Sequence, residues 1–176
     1  KVLDAFQECD LQEAHMNSST GYGIDEPGRN KIEEIYAKVF KAEDALVRTQ
    51  LISGTHALTV TLFGLLRPGD TMLSISGEPY DTLQTVIGIS SENSNSSLKS
   101  FGIKYEQIDL VNNEFDVEKI KNRLAKKDVK LVEIQKSRGY STRESINIEK
   151  IEKIIKEIRK VNDEVIIMVD NCYGEF

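Results

Sequence analysis

Val165-Ile166-Ile167-Met168-Val169-Asp170-Asn171-Cys172 is the stretch from which the fold is read. Five apolar, mostly β-branched residues in succession read as a strand buried on both faces, the habit of parallel sheets, and a carboxylate at the carboxyl end of such a strand stands where open α/β sheets bind ligands. Asp170 is therefore a candidate site residue, although a strand-end Asp also serves simply to cap a turn. Upstream, Ser53-Gly54-Thr55-His56 opens the apolar stretch Ala57 to Leu66, directly after the strand-like Ala45-Leu46-Val47. A turn of small residues feeding a helix amino terminus presents backbone N–H groups and a partial positive charge, which suits a phosphate. An ordinary helix start is the competing reading of the same residues.

Between these two points strand and helix patterns alternate. Residues 1–30 are polar and Gly-rich, with Asn17-Ser18-Ser19-Thr20-Gly21-Tyr22-Gly23, and are expected to form an arm or loop. Ile32, Ile35, Tyr36, Val39 and Phe40 recur at helical spacing. A strand is expected at Ala45–Arg48, a helix at Gly54–Leu66, a strand at Thr71–Ser76 and a short helix from Tyr80 or Asp81 toward Ile87. Ser90–Ser97 is a Ser/Asn/Glu cluster and reads as a surface loop. Further strands are expected at Lys104–Leu110, Val129–Gln135 and Val165–Asp170, with helices at Asp116–Ala125, capped by Asp116, and at Ile148–Val161. Repeated βαβ units imply a largely parallel sheet covered by helices.

Composition narrows the function classes. At 176 residues and 39% apolar content the chain can bury a sizeable core, and the length favours one domain. A net charge of -6 argues against a nucleic-acid surface. Two cysteines, Cys9 and Cys172, lack metal-ligand spacing, and with two histidines, His15 and His56, no metal site is expected. No apolar run is long enough for a membrane span and no signal-peptide pattern opens the chain, so a cytoplasmic location is the expectation. Cys172 has no base placed near it and is expected to pack as a small residue.

Taken together, Ala45-Leu46-Val47-Arg48, Ser53-Gly54-Thr55-His56-Ala57-Leu58, Leu66-Arg67-Pro68-Gly69-Asp70, Pro79-Tyr80-Asp81-Thr82-Leu83, Ser137-Arg138-Gly139-Tyr140-Ser141 and Val169-Asp170-Asn171-Cys172-Tyr173-Gly174-Glu175-Phe176 carry a resemblance. The chain resembles the large domain of fold-type I pyridoxal-phosphate enzymes, and within them the cystathionine/methionine gamma-lyase group. More narrowly it is similar to the aluminium-resistance family, a lyase-like branch of that group. The likeness runs over the whole chain. It implies a three-layer α/β/α domain with a mostly parallel sheet, incomplete in this chain, preceded by an arm at residues 1–30. Residues 31–176 would then be the amino-terminal part of the cofactor-binding domain.

The resemblance also implies roles. Asp170 matches the carboxylate that keeps the ring nitrogen of pyridoxal 5′-phosphate protonated, and Tyr80 the tyrosine that stacks on the ring and assists proton transfer. Ser53, Gly54 and Thr55 match the phosphate anchor. Tyr22 and Arg29 lie in the arm, where lyase relatives donate a Tyr and an Arg to the phosphate of a neighbouring subunit, although the spacing departs from the usual Tyr-x-Arg. Relatives place an Asn beside the cofactor's phenolic oxygen; here Arg138 or Tyr140 stands in that loop and offers a donor. The lysine that binds the cofactor is expected about 20 to 30 residues beyond Asp170, so the chain is expected to be inactive alone. The implied enzyme is a carbon-sulfur lyase acting on a sulfur-containing amino acid, assembled as a homo-oligomer, a dimer of dimers, without nucleic-acid or membrane partners. The competing readings are an aminotransferase of the same fold and a non-catalytic half-domain. A nucleotide-binding Rossmann module is disfavoured, since no G-x-G-x-x-G follows the first strand.

Overall fold

Four of the apolar runs pair into one parallel sheet in the computed structural model, which describes residues 1–24, 26–90 and 95–174. The strands are β1 (Thr71–Ser74), β2 (Lys104–Gln107), β3 (Val129–Gln135) and β4 (Ile166–Asp170), in the order β2-β1-β3-β4. The helices are α1 (Val2–Glu8), α2 (Pro27–Phe40), α3 (Gly54–Leu65), α4 (Asp81–Ile87), α5 (Val117–Leu124) and α6 (Ile148–Val161). The chain divides into two compact units, Lys1–Ile52 and Ser53–Phe176. The sheet lies wholly in the second.

Alternation along the strands sends side chains to two separate cores. Met72, Leu131 and Met168 pack with Leu62 and Leu66 at the end of α3 and with Leu83 and Ile87 of α4. Leu73, Val132 and Ile134 pack with Ile120 and Leu124 of α5 and Ile151, Ile154 and Ile158 of α6. Helices therefore cover both faces, as right-handed β-α-β connections require. The helix starts are chemically marked: the Asp116 carboxylate accepts from Lys119 N at 3.0 Å, and the Asn147 amide oxygen from Lys150 N at 2.9 Å. Register places Ser74 beside Glu133, and Gln135 beside Asp170. The carboxyl end of the sheet consequently gathers polar residues on the face shared with α3 and α4.

Several expectations are corrected. Ala45–Arg48 is not a strand: Val47 N donates to Glu33 Oε1 at 2.9 Å and Arg48 pairs with the same carboxylate, so a side chain satisfies the backbone that a ladder would otherwise hold. Residues 1–30 contain α1, a 3-10 turn at Glu13–Met16 and the start of α2. Ala5, Cys9 and Ile35 are buried together there, giving the first unit its own small core. β2 stops at Gln107, short of Leu110; it pairs with β1 alone and exposes Lys104 and Gln107 at its two ends. β4 is less covered than its apolar run suggests, with Ile166 and Ile167 half-buried and Val169 exposed. Of the loop expected at Ser90–Ser97, residues 91–94 lie outside the described residues, as do Glu175 and Phe176.

Candidate functional site

The site is built where α3 begins and where β3 and β4 end. Ser53, in extended backbone, accepts from His56 N through Oγ at 3.1 Å and so fixes the first turn of α3. The first intrahelical bond runs from Ala57 N to Ser53 O, so the amides of Gly54 and Thr55 precede the ladder and point along the positive end of the helix. A Cβ built on Gly54 meets nothing within 4 Å. Space is therefore open beside Gly54 at the start of the helix.

Thr55 ties this turn to Tyr80. Its Oγ1 is 2.7 Å from Tyr80 OH and 2.9 Å from Thr82 Oγ1, which anchors the phenol at the head of α3. At the other end of the same residue, Tyr80 N donates to Gln135 Oε1 at 2.8 Å. Gln135 closes β3, donates through Nε2 to Ser137 O at 3.0 Å, and donates through its backbone N–H to Ser76 Oγ at 2.8 Å. Asp170 is its neighbour in register on β4. Thr55, Tyr80, Gln135 and Asp170 thus form a continuous series from the α3 amides to the strand-end carboxylate.

Asp170 is 6% exposed, and its Oδ1 accepts from Cys172 N at 3.1 Å. Cys172 is exposed, contrary to the expectation that it packs as a small residue, because the turn after β4 carries its side chain outward. Lys136 follows Gln135 but alternation sends it to the opposite side, where Nζ donates to Gly174 O at 2.9 Å. Arg138 and Tyr140 are exposed, and with Tyr80, Gln135, Asp81 and Asp109 they line an open cleft of about 700 Å³. Arg143 braces their loop by donating to Gln135 O at 2.8 Å and to Ser137 O. Burial holds the Arg143 guanidinium below its usual range, against the attraction of Glu133. Gly139, at φ +56°, lies against this wall: a Cβ there would stand 3.4 Å from Tyr80 Cβ and 3.3 Å from Gln135 Nε2.

Glu133 is a site residue that sequence reading missed. It is fully buried in the middle of β3, with Oε2 2.7 Å from Ser74 Oγ and Oε1 without a hydrogen-bond partner among the described residues. Burial pushes its carboxyl up to about 7; the contact with Ser74 and the charge of Arg143 oppose the shift and the charge of Asp170 adds to it. Gln135, Ser76 and Arg143 were missed as well. Polar positions at the end of an apolar strand were the available signal.

Tyr22 and Arg29 belong to the first unit. Tyr22 is 88% exposed on a loop gathered by the buried Glu26, which accepts from Ser19 Oγ, from Thr20 Oγ1 at 3.3 Å and from Gly21 N at 2.6 Å. Arg29 Nη2 stands 3.9 Å from Glu26 Oε2. The Ser19 hydroxyl foremost, then the loop amides and Arg29, hold the Glu26 carboxyl below its usual range against the opposing effect of burial.

An all-parallel α/β unit with a helix amino terminus, an aromatic ring and a buried carboxylate assembled at the carboxyl ends of its strands is the architecture of a ligand-binding α/β enzyme domain. The family model for methionine gamma-lyase matches residues 1–176, and the chain belongs to that family. It is 49% identical to a carbon-sulfur lyase involved in aluminum resistance from Clostridium novyi, with TM-score 0.93 over 99% of this chain and 42% of that one. A Listeria innocua protein involved in aluminum resistance is 50% identical, with TM-score 0.93 over 99% of this chain and 42% of that one. The uncharacterized protein YnbB of Bacillus subtilis (strain 168) is 43% identical over 177 residues, which is 100% of this chain and 42% of YnbB. The chain spans about two-fifths of the length of these relatives.

Proposed function

We propose that this chain contributes the cofactor-holding part of a pyridoxal 5′-phosphate-dependent carbon-sulfur lyase acting on a sulfur-containing amino acid. The observation that supports it best is the unbroken series Thr55, Tyr80, Gln135, Asp170, which joins an anion-suited helix start to a buried carboxylate through an aromatic ring. The residues fit that cofactor chemically. With the space beside Gly54 open, the amides of Gly54 and Thr55 and the hydroxyl of Ser53 would receive the phosphate. Tyr80 offers a ring held at both ends, its phenol by Thr55 and its amide by Gln135, suited to stacking on a flat ligand.

Asp170, largely removed from water, would hold the ring nitrogen of that cofactor in its protonated form. When bound, pyridoxal phosphate supplies an electron sink for the bond-breaking step. The chain's residues orient it, exclude water from one ring face, and keep that nitrogen protonated. Tyr80 also carries a hydroxyl able to move a proton toward a leaving group, with Thr55 Oγ1 as its hydrogen-bond relay. Arg138 and Tyr140, which line the same cleft as Tyr80, are the donors proposed for the cofactor's phenolic oxygen. Tyr22 and Arg29 are assigned to the phosphate of a neighbouring subunit.

The test is made on the full-length protein. Release of ammonia and a thiol from a sulfur amino acid is the expected product pattern, and transfer of the amino group to a keto acid would replace the lyase by an aminotransferase. Asp170→Asn should fold as the parent does yet lose several powers of ten in turnover, because the ring nitrogen loses its charged partner. Parent-like turnover in that variant defeats the assignment of Asp170.

A further inference from the structure

Ser74 carries one hydroxyl proton and faces two oxygens at the same distance, Glu133 Oε2 at 2.7 Å and Gly77 O at 2.7 Å. A carbonyl oxygen accepts only. If Ser74 gives its proton to Gly77 O, the Glu133 contact is a hydrogen bond only when Glu133 is the donor, and so protonated. If Glu133 is ionised, it competes for the Ser74 proton, and its second oxygen, Oε1, stays charged and unpartnered inside the sheet. Ser74 and Glu133 are both wholly buried. The neutral acid, donating to Ser74, which in turn donates to Gly77 O, satisfies both contacts at once and leaves Oε1 an uncharged carbonyl oxygen, so this geometry favours it over the carboxylate.

Gly77 opens the turn Gly77-Glu78-Pro79 that delivers Tyr80 to the start of α4. Gly77 N donates to Ile108 O at 3.2 Å, Gln84 Nε2 to Pro79 O at 2.6 Å and, where the turn ends, Tyr80 N to Gln135 Oε1 at 2.8 Å, while Ser74 holds Gly77 O from beneath. We infer that Glu133 is a positioning residue for Tyr80: as a neutral acid it frees the Ser74 proton to pin the Gly77 turn, and its ionisation withdraws that proton and loosens the turn. The role for catalysis rests on the reading of Tyr80 as the residue that stacks on the cofactor.

The groups facing Glu133 come from every side of its strand. On β4 it is Asp170, whose negative charge favours the neutral acid; after β3 it is Arg143, whose charge opposes it. Tyr105 on β2 also reaches Ser74 through its side chain, and feels the charges of Glu133, Glu78 and Asp109. From the helices over this face, Leu58, Leu62, Leu83 and Ile87 supply apolar surface, alongside Tyr80. Burial places the proton exchange near neutral pH, at about 7.

The experiment uses the full-length protein without added cofactor. Infrared difference spectra between about pH 6 and about pH 9 should show the carbonyl stretch of a neutral carboxylic acid that is lost at the higher pH and missing from E133Q. In protein labelled with fluorotyrosine, the fluorine resonance of Tyr80, identified by Tyr80→Phe, should move with the same midpoint. E133Q, whose amide donates to Ser74 at every pH, should hold that resonance at its low-pH position. No acid band in the parent, or a Tyr80 step that survives in E133Q, overturns the inference. Should E133Q fail to fold, Ser74→Ala must shift the acid band, and an unshifted band overturns it equally. If both readouts behave as expected while pyridoxal phosphate does not bind, the lyase reading fails and the Glu133 inference stands.

Discussion

Glu133 makes the stability of this fold depend on pH in a direction opposite to that of a salt-bridged carboxylate. Its folded-state value of about 7 lies above the ordinary 4.5, so between these limits the folded chain keeps a proton that the unfolded chain releases. Stability is unaffected below the lower value, falls as pH rises through the interval, and levels off above about 7. The loss amounts to roughly 3 kcal/mol at most. Glu133→Gln has no proton to lose, so its urea midpoint relative to the parent should climb between about pH 5 and about pH 8, and an offset independent of pH would refute the assignment. Asp170 was legible in the sequence because it ends an apolar run, and Thr55 because it sits in a small-residue helix start. Glu133 and Gln135 were not, since a polar residue inside an apolar strand declares its use only once Ser74 and Asp170 are seen beside it.

At the level of elements, α5 and α6 were readable almost to the residue. Each has a capping side chain at its first turn and an unambiguous apolar stripe, and both signals are local. Ile151, Ile154 and Ile158 of α6 fall on one face and enter the core under β3. Ile154→Ala should cost about 2–5 kcal/mol, the range for emptying a buried aliphatic site, read as a lowered urea midpoint with unchanged slope. A loss below about 1 kcal/mol would mean that α6 does not seal this face. Ala45–Arg48 shows the opposite limit. Its residue types favour a strand, yet strandedness needs a partner backbone, and Glu33 takes the Val47 amide instead.

At the level of the whole molecule, the chain accounts for about two-fifths of the length of its relatives, and its assembly is a matter for the full protein. Tyr22 is 88% exposed, on a loop organised around the buried Glu26 rather than around an apolar core. The likeness to lyases whose arm reaches a neighbouring copy is what supports the assembly proposed, a symmetric homo-oligomer built as a dimer of dimers. Sedimentation of the full-length protein should show that species. A monomer that binds pyridoxal phosphate as tightly would remove Tyr22 and Arg29 from the site. Among the described residues no helix is long and apolar enough to cross a membrane.

The order of strands and helices, the caps and the two ends of the site follow from the amino-acid sequence itself, because hydrophobic periodicity and capping are properties of a few neighbouring residues. Tertiary structure decided the rest. Gln135 meets Asp170 because β3 and β4 pair in one register, Glu133 meets Ser74 because β3 also pairs with β1, and Tyr80 reaches Thr55 across 25 residues of chain. Those partners are set by which strands lie side by side, a long-range outcome, and so are the burial that keeps a proton on Glu133 and the side-chain carboxylate that displaced a ladder at Val47.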